Sequence, residues 1–127
     1  MVVLEIIIVN VLKIVWGRPR MRSMESIDQF KYWFQVSGLA AGEEFKSFPS
    51  GHTANAFVML AYCMFVPYFK KIKANYFIAF ALIWGGLVAL SRVVLGAHFL
   101  SDVLVGGYIT TVTFYVLNRI FIKDTGK

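Results

Sequence analysis

The sequence predicts an all-α, membrane-embedded helical bundle, and three observations carry that prediction. Apolar residues make up 58% of the 127-residue chain and charged residues only 16%, with a mean hydropathy of +0.66. A soluble domain carries about 25% charged residues. The apolar residues gather into four runs, roughly Val2–Trp16, Ala54–Phe69, Ala74–Leu90 and Phe99–Ile122, while the polar residues collect in short islands between them. At this length the chain is one domain at most, so residues 1–127 are read as a single membrane-embedded unit.

The first run holds Glu5, Asn10 and Lys13 and is short for a span. A span needs about 20 apolar residues, within a tolerance of about 17–25. The run lacks the basic start and small-residue cleavage site of a signal peptide, and reads as the remaining end of a membrane helix. Gly17 to Pro49 forms the one long connection. Its stretch Ile27–Phe34 mixes charges with aromatics, a composition suited to the lipid–water interface. The second and third runs reach span length with their flanking turns, and the fourth does so alone. Gly85, Gly86 and Ala89, then Gly106, Gly107 and Thr110, set small residues at helical spacing in the last two runs, which predicts close helix approach there. Cys63 is the single cysteine, so neither an intramolecular disulfide nor a cysteine zinc site is available. Beside Tyr62 and Met64 it reads as a packed helix residue.

The net charge of +6 does not point to nucleic acid, because the cations lie between apolar runs rather than on one solvated face. Lys70, Lys71 and Lys73 form a tight cluster that shares a side with Arg119, Lys123 and Lys127. Arg18, Arg22, Lys31 and Lys46 are spread over the longer loop on the other side. The denser cluster is expected to face the cytoplasm, which puts the histidine blocks at the extracytoplasmic face of a multi-pass protein.

Both histidines lie in polar islands: His52 in Phe48-Pro-Ser-Gly-His-Thr53, and His98 in the block from Ser91 to Asp102. His98 and Asp102 are four apart at the start of the last run, so they share one helical face. A carboxylate beside an imidazole fixes its tautomer and leaves the opposite nitrogen free to attack. Gly96 marks a break before that helix. Ser50 is a candidate N-cap for a helix that begins around Gly51, whose amides and dipole favour an anion. Gly51 would let backbone approach a phosphate closely. Lys13, Arg18, Arg20 and Arg92 supply cations able to neutralise a phosphoryl group. His52, His98 and Asp102 would number enough ligands for a catalytic zinc. The neighbouring cations repel a divalent ion, so no metal and no cofactor are expected.

In this order the polar island Lys13–Arg20 and the two histidine islands resemble the type-2 phosphatidic acid phosphatases, a superfamily that includes the vanadium haloperoxidases. The family pattern is Lys, six residues, Arg-Pro; then Pro-Ser-Gly-His; then Ser-Arg, five residues, His, three residues, Asp. Lys13 and Arg20 fit the first block, Pro49 to His52 the second, and Ser91, Arg92, His98 and Asp102 the third. Met21 replaces the proline after Arg20. Arg18-Pro19 offers an Arg-Pro at another spacing, so Arg20 is preferred and Arg18 is second choice. The resemblance implies a metal-independent membrane phosphatase acting on a lipid phosphate or diphosphate, such as an isoprenyl diphosphate, phosphatidylglycerol phosphate or phosphatidic acid. In it His98 would be the nucleophile forming a phosphohistidine, Asp102 would orient His98, and His52 would be the general acid. Lys13, Arg20, Ser50, Gly51 and Arg92 would hold the phosphoryl oxygens. Transfer to an acceptor other than water, and a non-catalytic lipid-phosphate-binding fragment, are the competing readings. Membrane members of the family usually have six spans, and about four are visible here, so an N-terminal truncation is expected. The helices should converge at one end, bringing Lys13, His52 and His98 into a single pocket.

Overall fold

A computed structural model of the chain describes residues 2–60 and 74–121. These residues are all-helical: α1 (Val2–Trp16), α2 (Gly51–Phe57), α3 (Ala74–Val94) and α4 (Leu100–Phe121), with three single 3-10 turns in the long connection. The later part of the second apolar run, Cys63, the cluster Lys70, Lys71 and Lys73, and the terminal Lys123 and Lys127 lie outside the described residues.

α1 has the predicted bounds. It stops at Gly17, whose φ of +57° suits glycine, and a Cβ there would lie 2.2 Å from the Gly38 carbonyl oxygen. The long loop then folds back, as the Ser37 and Ala40 amides donate to the carbonyls of Trp16 and Ile14 at 2.9 and 2.8 Å. α3 runs four residues past its expected end at Leu90. Ser91 and Arg92 do not break a helix, and the Ser91 hydroxyl bonds back to the Val88 carbonyl at 2.7 Å. Gly96, at φ +63°, makes the turn between α3 and α4.

α2 sits at the centre and packs against α1, α3 and α4. The small residues of α3 and α4 receive it, rather than only each other. A Cβ on Gly85 or Gly107 would meet the Phe57 ring at 2.5 or 3.0 Å, and one on Gly106 would lie 2.5 Å from the Ser50 carbonyl oxygen. Gly86 borders open space.

Asn75–Val94 and Leu100–Phe121 are long and apolar enough to cross a membrane. Only 11% of the α3 window is buried, leaving Tyr76, Phe80, Ile83, Leu87 and Leu90 exposed along one face of the helix. An apolar surface of that extent calls for lipid or partner helices.

Candidate active site

Lys13, Arg20, Gly51, His52 and His98 line one cavity of about 280 Å³, together with Asn10, Glu43, Lys46 and Asn55. The predicted convergence is therefore present. Three elements and the long loop build it: α1 around its last turn, the start of α2, and the turn before α4, where His98 lies two residues ahead of Leu100.

The nucleophile candidate is fixed from behind. His98 is 2% exposed, and its Nδ1 lies 2.7 Å from the Ser47 carbonyl oxygen. A carbonyl only accepts, so Nδ1 carries the proton and Nε2 keeps its lone pair. Asp102 was expected to orient the ring directly, but its Oδ2 is 3.8 Å from Nδ1, beyond hydrogen-bond reach. Its carboxylate is instead engaged by the Arg18 guanidinium, the Ser47 hydroxyl and the Phe99 amide. The Phe99 bond is half of a capping box, in which a side chain in the first turn returns to the amide before the helix. Asp102 is thus linked to His98 through Ser47, whose hydroxyl bonds the carboxylate and whose carbonyl lies against Nδ1.

Arg18 is 1% exposed and faces away from the cavity. Its Nε donates to the Lys31 carbonyl at 2.9 Å, Nη1 donates to the Ser101 hydroxyl at 2.8 Å, and its guanidinium stacks 4.3 Å from the Phe99 ring centroid. The buried ion pair with Asp102 occupies it. Arg20 takes the cavity wall, its Nε anchored on the Glu43 carbonyl at 3.0 Å and its backbone amide on Glu44 O at 2.9 Å. Lys13 Nζ donates to the Lys46 carbonyl at 2.9 Å. Lys13 Cε passes beside Gly51, where a Cβ would lie in ordinary contact at 3.4 Å.

Ser50 and Arg92 are not among the residues lining this cavity. Ser50 is fully buried as the N-cap of α2, accepting from the Thr53 amide at 3.4 Å and the Thr53 hydroxyl at 3.0 Å. Its own amide donates to Asp102 O at 2.9 Å, which joins the starts of α2 and α4. Arg92, half-buried, accepts at its carbonyl from the Ala97 and His98 amides, fixing the turn that carries the nucleophile candidate. His52 is exposed to the cavity, and its pKa is pushed below the ordinary histidine value by partial desolvation first, then by the charge of Arg92, by His98 and by Lys13 and Arg20.

Ser47 is the participant that residue-type reasoning missed. Half of its contribution is a backbone carbonyl, which leaves no mark in a sequence. The only available signal was that a buried Asp102 must find donors.

A sequence model of the PAP2 superfamily matches residues 1–125. Over 124 residues the chain is 36% identical to a lipid A 1-phosphatase of Rhizobium etli, an alignment covering 93% of this chain and 48% of that protein. Over 76 residues it is 38% identical to phosphatidylglycerophosphatase B of Bacillus subtilis, covering 56% of this chain and 37% of that protein. The chain thus spans at most about half the length of these curated relatives. No solved structure matches it.

Proposed function

The chain belongs to the PAP2 superfamily, and from that premise we propose that it is a multi-pass membrane phosphatase that removes a phosphoryl group from a lipid phosphate or diphosphate through a phosphohistidine. The observation that carries this is the buried His98, tautomerically fixed by Ser47 O and opening onto a cavity lined by Lys13, Arg20 and His52.

In the reading proposed here, His98 Nε2 attacks phosphorus while the bond to the leaving oxygen breaks. Protonated His52 gives its proton to that oxygen. Lys13, Arg20 and the Gly51 amide neutralise the equatorial oxygens, and positioning with charge is most of what such a transfer requires. Arg92 adds long-range positive charge, and Ser50 holds the helix entry that presents Gly51 and His52. Asp102 stabilises the imidazolium. Water, activated by the now neutral His52, then cleaves the phosphorus–nitrogen bond, releasing phosphate and neutral His98. The cations that welcome the phosphate also repel a divalent metal, so the reaction is assigned to side chains alone. The site faces the extracytoplasmic side, as the loop charges suggest.

The test is phosphate release from lipid monophosphates and diphosphates in detergent with a chelator present. Release by the wild type and its loss in His98→Ala are expected. Lipid phosphate binding without turnover by folded wild type would instead mark a non-catalytic fragment, and release that the chelator stops would overturn metal independence.

A further inference from the structure

Lys46 belongs to none of the three motif blocks, yet it lines the same cavity as His52 and His98. Its Nζ pairs with Glu43 Oε1 at 2.6 Å. From floor to mouth the cavity is graded: His98 is 2% exposed, whereas the Lys46 and Glu43 side chains are 29% and 77% exposed. The pair therefore sits on the rim. Lys46 is also held at its backbone, because its carbonyl accepts from Lys13 Nζ at 2.9 Å and the next residue, Ser47, bonds both His98 and Asp102.

Phosphoryl transfer runs with the attacking and leaving groups roughly in line. With His98 at the floor, whatever is attached beyond the leaving oxygen must extend towards the rim. A leaving group that bears its own phosphate would bring it to the Lys46 ammonium. Exposed ion pairs contribute little net stability, so Glu43 yields readily to a phosphate, which makes a stronger charge-assisted bond. Resting on the phosphatase reading above, we propose that Lys46 is a specificity-determining residue that reads negative charge on the leaving group. It favours a diphosphate over a monophosphate, with Glu43 as its exchangeable counter-ion when the rim is empty.

In the transfer itself, the His98–phosphorus bond forms as the bond to the bridging oxygen breaks. His52 protonates that oxygen, and the departing lipid monophosphate leaves past Lys46. The two substitutions at the pair should act in opposite directions. Lys46→Met keeps the apolar stem and the backbone bond to Lys13 while deleting the charge. Glu43→Gln frees the ammonium.

The experiment compares kcat/KM for a prenyl diphosphate and the prenyl monophosphate of the same chain, using the full chain in detergent. Thermal stabilisation by inorganic pyrophosphate and by inorganic phosphate is measured alongside. Lys46→Met is expected to lower the diphosphate-to-monophosphate ratio by about tenfold or more, and Glu43→Gln to raise it. An unchanged ratio in Lys46→Met, or shifts of the same sign in both variants, would overturn the assignment. If the wild type turns over neither lipid, the phosphatase reading fails, and the pyrophosphate-to-phosphate ratio still decides the role of Lys46.

Discussion

Removing Arg18 strands the Asp102 carboxylate in a buried site, whereas removing Arg20 alters a wall of the cavity, so the two substitutions should fail in different ways. Arg18→Met is expected to destabilise the fold by about 3–5 kcal/mol, the cost of leaving one partner of a buried pair uncompensated. Thermal unfolding in detergent would show it. Arg20→Met should unfold near the wild-type temperature yet lose about 10²-fold or more in kcat/KM, as expected when a charge stabilising the transferring group is lost. The spacing from Lys13 was enough to favour Arg20. The sequence could not show that Arg18 is buried, because its partners are a carbonyl, a serine and an aspartate up to 84 positions away. In the proposed mechanism the pH dependence belongs to His52, which must be protonated to act as the acid. Since its pKa lies below the ordinary histidine value, kcat/KM should fall as pH rises through that lowered value. A bound phosphate dianion favours the imidazolium, so the corresponding fall in kcat should come at higher pH. Separate pH profiles of the two constants check the displacement.

The start of α2 is seated directly on α4, and a glycine makes that possible. Gly106→Ala would drive a methyl into the Ser50 carbonyl, a backbone atom with no rotamer to offer. Overpacking of this kind costs about 1–3 kcal/mol. Because Ser50 caps the helix that presents His52, activity should fall with stability. Gly86→Ala, facing open space, should leave the unfolding temperature unchanged or slightly higher. A thermal scan of both variants beside an activity assay makes the comparison. The helices themselves were legible: α1 and α4 lie within a residue or so of their apolar runs, and Ser50 and Gly96 mark the ends expected of them. The central position of α2 was not. A small residue announces that something comes close without naming the neighbour, and here the neighbours are Phe57 and Ser50 of another element.

At the scale of the described molecule, the side chains of the candidate site meet at one end of helices whose remaining length is mostly apolar. From Asp102 to Arg119 the rise is about 26 Å at 1.5 Å per residue, close to the hydrocarbon thickness of about 30 Å. If the site end faces outward, Ser37→Cys in a Cys63→Ala background should react with a membrane-impermeant maleimide in intact cells. Asn118→Cys should react only after lysis, and the reverse pattern would invert the orientation. The convergence was legible because each island is too polar to rest within lipid and each carries a group with phosphate chemistry. The arrangement behind His98 was not, since the atoms that meet there come from loop backbone.

That backbone origin has a genetic consequence. An imidazole whose proton is placed by an aspartate can be switched to the wrong tautomer by a single change to asparagine. Here the acceptor is the carbonyl of residue 47, which every amino acid possesses. Side-chain mutation can therefore shift this acceptor or unsettle its support, but it cannot delete it. The proton on Nδ1 is specified by the peptide chain itself, and replacing one amide with an ester at that linkage would be the direct chemical way to weaken it.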